Sequence, residues 1–172
     1  MLFALALHPV LQRIHAAAVV DSATGYLDDV FLCAATHNAN EALAIARREL
    51  RTVKLELNLS KVHTYTLHPE EAHGLPPEVP VTSEGVTILG IPLGADNYVH
   101  SVLDDRRKKV ESFIHKVGDL PNTQIGLLLL RFCGITKWGY VTRLMPINHP
   151  AVQATTSSVD ARAQVAVRKL LQ

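Results

Sequence analysis

The chain has 172 residues, 48% of them hydrophobic and 19% charged, which suffices to bury a core as one domain or two small subdomains and excludes an intrinsically disordered polymer. Seventeen Lys and Arg against sixteen Asp and Glu leave a formal charge of +1, so no global basic field announces a nucleic-acid partner and any such binding must come from local patches. The two cysteines, Cys33 and Cys133, have neither zinc-ligand spacing nor the look of a disulfide framework, which points to a reducing, intracellular compartment without distinguishing nucleus from cytoplasm.

The opening MLFALALHPVLQRIHAAAVV is apolar but interrupted by His8, Pro9, Gln12, Arg13 and His15, with no basic region ahead of it. It reads as neither signal peptide nor membrane span. Leu2, Leu5, Val10 and Ile14 predict a helix over 2–14, kinked at Pro9. From Thr24 to Ala35 the pattern changes to Tyr26-Leu27, two aspartates, then Val30-Phe31-Leu32-Cys33, the β-branched and aromatic bias of a hairpin with Asp28 and Asp29 at its tip. Asn38, with Glu41 three residues on, is the expected N-cap of a helix carried by Leu43, Ala46, Leu50, Val53 and Leu57. Alternation in KVHTYTL predicts a strand within 58–67, a loop HPEEAHGLPPEVPVTSEG follows, and a strand Val86 to Ile91 ends at the Gly90-Ile91-Pro92-Leu93-Gly94 turn. Val99, Val102, Val110, Phe113 and Val117 mark a second amphipathic helix. Pro121 opens a third, which passes through Ile125 to Ile135 toward Trp138. That apolar run is shorter than the roughly 20 residues of a spanning helix and carries Arg131, so no membrane partner is expected. The order predicts an α+β fold: a layer with a hairpin and packed helices, then an all-helical part.

Two Leu-Asp-Asp triplets invite chemistry. Asp104 and Asp105 lie four residues before Lys108 and Lys109, a spacing that pairs them on one solvated helix face in the first turns, where acids suit the helix dipole. Asp28 and Asp29 have no cation within four residues and are flanked by apolar side chains. Adjacent carboxylates repel unless water or a cation screens them, and a hard divalent ion, magnesium or manganese, takes oxygen ligands while keeping waters and substrate phosphates in its shell. The competing reading is a plain Asp-Asp turn.

The features that follow Asp29 carry a resemblance. Tyr26-Leu27-Asp28-Asp29, then Leu55-Glu56-Leu57-Asn58-Leu59-Ser60-Lys61, then Leu89-Gly90-Ile91-Pro92-Leu93-Gly94, then LLLLRFCGITKWGYVTRLMP and SVDARAQVAVRKLL together resemble, in order and spacing, the reverse transcriptases of non-long-terminal-repeat retrotransposons, over nearly the whole chain. LFALALHPVL is similar to the helix that follows that family's substrate-binding loop. One departure is Lys54, where the family usually has glycine. The resemblance implies a partial polymerase palm over 1–96, a thumb-like helical subdomain over 97–150 and a connector helix over 151–172. It implies RNA-directed DNA synthesis with Asp28 and Asp29 as magnesium or manganese ligands, Lys61 as a cation or proton donor on the triphosphate side, and an RNA-template/DNA-primer duplex with a deoxynucleoside triphosphate as partners. Arg106, Arg107, Lys108 and Lys109, with Arg131, Lys137 and Arg143, are the candidate nucleic-acid-binding set; general solvation of a helix is the alternative reading of the first four.

The family's third carboxylate and its Gly-Gln-Gly-Asp-Pro-type loop are not found in these residues. Two aspartates from one turn do not hold two metals, so the isolated chain is expected to be inactive, as the second half of a polymerase from a truncated element or a reading frame that starts late at Met1. Asp21 and Asp96 are the carboxylates to consider as completing the site. The competing expectation is a non-catalytic nucleic-acid-binding or interaction module, or an inert relic. His63, His68 and His73, spaced by five, fit neither a helix face nor a zinc-protease pair and read as surface histidines. Trp138 and Tyr140 read as core or hinge packing, with base stacking as the minority option.

Overall fold

A computed structural model describes residues 2–172; Met1 and the side chain of Leu2 lie outside the described residues. The chain is of the α+β class and divides into two compact units, Met1–Ser83 and Glu84–Gln172.

In the first unit, α1 (Leu2–His15) is followed by the antiparallel strands β1 (Ser22–Tyr26) and β2 (Asp29–Cys33), then by α2 (Ala39–Thr52). Leu7, Val10 and Ile14, at spacings of three and four, form the buried face of α1. Leu5, expected on that face, is 64% exposed: counted back from Val10, its spacing of five places it off the stripe. Val20 and, from α2, Ala42, Ala46 and Leu50 complete this core, with Ala23, Val30 and Leu32 of the hairpin packed on it. The hairpin lies close on α1, because a Cβ at Gly25 would stand 2.8 Å from Leu11 Cδ1. Arg13 ties the two helices by donating to the Glu49 carboxylate at 2.7 Å and to the Thr52 hydroxyl at 2.9 Å.

Asn38 occupies the N-cap position of α2 as expected, but it is already in helical backbone, as the last residue of a 3-10 turn Thr36–Asn38, and its side chain makes no capping bond. The end also comes earlier than the apolar spacing implies: α2 stops at Thr52, so Leu57 lies beyond it. The stop is a Schellman closure. Lys54 N donates to Arg51 O at 3.0 Å and Leu55 N to Leu50 O at 3.1 Å, which satisfies two of the last carbonyls and requires a left-handed residue between them. Lys54 supplies it at φ +61. A side chain in that region costs about 1–2 kcal/mol, and glycine gives back part of this through the unfolded chain's entropy. Lys54→Gly is therefore expected to stabilise the protein by about 0.5–1 kcal/mol and Lys54→Ala to leave it unchanged, as read from urea unfolding midpoints.

Beyond Lys54 the expected strand shrinks. Asn58 Oδ1 accepts from Ser60 N at 3.1 Å and from Ser60 Oγ at 2.7 Å, which holds Leu59–Lys61 as a 3-10 turn. Only β3 (Thr64–Tyr65) pairs, in parallel, with β4 (Val81–Thr82). Thr66 is buried, its hydroxyl 2.8 Å from that of Thr36.

The second unit opens on the antiparallel hairpin β5 (Gly85–Ile88) and β6 (Ile91–Gly94), so Ile91 to Gly94 is a strand and not a turn. Leu89 and Gly90 form the turn, at φ +49 and +78, both positive as a type I′ turn requires. Pro92 in β6 gives up an amide, which an edge strand tolerates. The hairpin lies in this compact unit, and Ile91 packs on its helical core. α3 (Asp96–Gly118), α4 (Thr123–Leu129), a π-helical turn Leu130–Gly134, α5 (Ile135–Leu144) and α6 (Pro150–Leu170) follow. The cap of α4 is Asn122, which accepts from Ile125 N at 2.9 Å, and not Pro121. Leu103, Ile114, Leu130, Val141 and Val152 are fully buried. α6 is no loosely held connector: Val152, Val159, Ala166 and Leu170 lie in the same core, and a Cβ at Gly118 would meet Ala166 Cβ at 3.2 Å, so α3 and α6 run nearly in contact. Trp138 is buried and donates to the Thr156 hydroxyl at 2.9 Å, which settles it as core. Among the described residues no helix is long and apolar enough to cross a membrane.

Candidate functional site

Tyr26 pairs with Asp29, which leaves Leu27 and Asp28 as a two-residue turn. Leu27 sits at φ +55 and is 71% exposed, a left-handed leucine that costs about 1–2 kcal/mol without repaying it by burial. Asp28 and Asp29 are both exposed, and among the described residues neither makes an ion pair or side-chain hydrogen bond. The hairpin thus presents two unneutralised carboxylates at its free end while its other side packs on α1 and α2. Asp21 does not complete the pair. It precedes β1 at the opposite end, where its amide donates to Cys33 O at 2.8 Å, about 17 Å from the tip at the rise of a strand. Asp96 opens α3 in the second unit, with His149 Nε2 3.7 Å from its Oδ1.

Lys61 ends the Asn58-capped 3-10 turn, exposed and unpaired among the described residues. The one group of metal-capable side chains found among the described residues is elsewhere: His68, Glu70 and Glu71, all exposed, with ligand atoms within 4.8 Å of one another. Also in the first unit, Arg47, Arg48 and Arg51 with Ala44 and Thr52 line a concavity of about 550 Å³, a basic face absent from the sequence-predicted nucleic-acid-binding set. Arg51, in the last turn of α2, sits where a cation suits the helix dipole.

The four basic residues of α3 divide into two functions. Arg107 donates to Asp104 at 2.7 Å and to Glu111 at 2.8 Å, and Lys108 pairs with Asp104 at 2.7 Å and Asp105 at 3.8 Å. Glu111 also accepts from the Ser158 hydroxyl at 2.6 Å, which links the network to α6. Arg107 and Lys108 are thereby spent on structure. The expected partnership of Asp105 with Lys109 is not formed, because Lys109 turns to the other side. There Arg106, Lys109, Val110, Lys137 and Tyr140 line an open concavity of about 440 Å³ that holds no carboxylate. Lys137 Nζ stands 4.4 Å from the centroid of the Phe113 ring, which orients it without neutralising it. Tyr140 donates to Leu89 O at 2.8 Å, and a Cβ at Gly90 would meet Arg106 Nη2 at 2.9 Å, so the β5–β6 turn forms the rim. Tyr140 is therefore a contact to the hairpin turn as well as part of the basic surface. Arg131 lies over Phe132, 5.3 Å from its centroid, and Arg143 is exposed on α5; neither lines the concavity.

Lys108 and then Arg107 hold the Asp104 carboxyl down to about 2 from 3.8. Burial works to raise Glu111, but the bonds from Ser158 and Arg107 leave it below the usual range. Carboxyls depressed by folding contribute stability that is present above their unfolded pKa and lost as pH falls through the folded one. The second unit is expected to lose stability from about pH 4 toward about pH 2, and Asp104→Asn should be less stable than wild type near pH 6 but converge with it in acid. Urea midpoints at each pH read this directly, and parallel curves for the two proteins would refute it.

No protein-family model, no curated protein and no solved structure matches the chain.

Proposed function

We propose that the chain supplies the carboxylate-bearing palm segment and the thumb of an RNA-directed DNA polymerase of the non-long-terminal-repeat retrotransposon kind. The observation that carries this reading is the Tyr26-Leu27-Asp28-Asp29 turn, an exposed hairpin tip whose two carboxylates have no cation partner among the described residues. Such a tip suits one hard divalent ion that keeps water and phosphate oxygens in its remaining positions. Asp28 and Asp29 would hold a magnesium or manganese ion, which would supply charge neutralisation at the transferring phosphoryl group, and Lys61 would offer its ammonium to the triphosphate. Leu89–Gly94, with the Tyr140 bond and the Arg106, Lys109 and Lys137 concavity, provides a cationic surface for the phosphate backbone of an RNA-template/DNA-primer duplex.

A second reading, nucleic-acid binding without catalysis, is favoured by one observation: the basic concavity lies within the second unit, whereas among the described residues the tip has two carboxylates and no third beside them.

Both readings require salt-dependent binding of a fluorescent RNA/DNA hybrid. Affinity should fall as salt rises, and Lys109→Gln should lower the slope of log affinity against log salt by about one. Lys108→Gln should leave the slope unchanged, since Lys108 is already neutralised by Asp104. Salt-independent binding, none at low salt, or equal effects of the two substitutions would end the assignment of this surface.

A further inference from the structure

The rod formed by α4, the π-helical turn and α5 has a second apolar face. Its inner side buries Gly126, Leu130, Gly134, Trp138 and Val141. On the outer side Ile125, Leu128, Phe132 and Ile135 are 52%, 48%, 61% and 51% exposed, at spacings of three, four and three. The next position, four residues on, is Gly139, where a Cβ would meet nothing within 4 Å. This is the a/d pattern of a helix seam. It is not needed to hold the unit together, and four large apolar side chains in one outward stripe mark an interaction surface more than chance exposure does.

Charge selects the occupant. From Leu120 to Val159 the sequence contains no Asp or Glu, while Arg131, Lys137 and Arg143 are present. Arg131 lies over the Phe132 ring in mid-stripe, exposed and without a carboxylate partner among the described residues. An antiparallel second copy centred on Phe132 would bring two Arg131 guanidiniums together with no acid from either segment to offset them. A helix with Leu or Ile at a and d and Glu or Asp flanking them matches both the seam and its charge.

We infer that this outer face is a docking seam for an acidic amphipathic helix of a partner protein. The apolar residues of the seam are none of those assigned to polymerase chemistry, and Arg131, the cation its test changes, lies outside the Arg106, Lys109 and Lys137 concavity, so its test stands apart from that of the proposed function.

The probe is a labelled peptide of about three heptads with Leu at a and d and Glu at e and g, titrated into the full chain and read by fluorescence anisotropy. Saturable binding that weakens with salt is expected. Phe132→Ser should weaken it about tenfold or more, and Arg131→Glu should transfer the preference to the same peptide carrying Lys at e and g. Phe132 is exposed, so Phe132→Ser should keep the wild-type melting temperature; if it does not fold, Ile135→Ser takes its place. The inference is overturned if the Glu and Lys peptides bind wild type equally or neither binds. It is also overturned if the chain sediments as a dimer that Phe132→Ser dissociates, or if anionic vesicles capture the chain through Phe132 while the Glu peptide does not bind.

Discussion

Alanine at Gly94 is expected to cost about 3–4 kcal/mol. Gly94 lies at φ +148, a conformation that side-chain-bearing residues rarely adopt. Its missing Cβ would stand 2.4 Å from Glu84 O and 2.4 Å from Gly85 Cα, both of them backbone. Neither atom can give way cheaply, because Glu84 O accepts from Ala95 N at 2.8 Å and Gly85 is the ladder partner of Gly94. Gly90 offers the contrast. It is also left-handed, at φ +78, but the atom its Cβ would meet is the end of the Arg106 side chain, which can swing aside. Gly90→Ala should therefore cost only the backbone term, about 1–2 kcal/mol, and Leu93→Ala, at an exposed position, close to nothing. Thermal unfolding with hydrogen exchange at the hairpin amides gives the order. A Gly90 variant as damaged as the Gly94 variant would show that the close backbone approach is not what fixes this glycine.

The helices were legible because burial and sequence share a period. Val99, Val110 and Val117 stand out by spacing and are buried in α3. What periodicity does not carry is the backbone. Leu27, Lys54 and Leu89 all take positive φ, and nothing in the residue types says so, since the turn or helix end around each imposes the conformation on a side chain that would not choose it. Lys54 shows this best: the Schellman hydrogen bonds at the end of α2 form with lysine in a position that glycine fills more cheaply. The divided basic run on α3 was half legible. Arg107 stands three residues after Asp104 and four before Glu111, which announces its ion pairs. That Lys137 and Tyr140 would meet Arg106 and Lys109 depends on how α5 lies against α3, which no local spacing encodes. At the hairpin tip Asp28 and Asp29 were placed correctly from sequence, whereas the unneutralised surroundings that make the pair interesting are a property of the fold.

The paired aspartates should bind manganese weakly, and these 172 residues alone should extend no primer. Nucleotidyl transfer needs two ions a few ångströms apart, one at the attacking hydroxyl and one at the leaving oxygens, held by carboxylates from more than one strand. Here Asp28 lies in the turn and Asp29 at the first position of β2. Two carboxylates from one hairpin tip suffice for at most one ion. Asp21 is at the far end of the same hairpin and cannot reach it. Paramagnetic broadening by manganese should centre on the amides around Asp28 and vanish when Asp28 and Asp29 are both changed to Asn. Changing Asp104 and Asp105 to Asn should leave it intact, since Lys108 and Arg107 already occupy Asp104. His68, Glu70 and Glu71 form a separate exposed cluster, so any broadening there must be subtracted with His68→Ala before the tip is judged. Manganese titrations identical in the two double-Asn variants would reduce Asp28-Asp29 to an ordinary turn. Primer extension on an RNA template with magnesium or manganese is the companion assay. Extension by the wild-type chain that disappears with Asp28→Asn would mean that the tip does catalyse, and that a carboxylate outside the hairpin completes it.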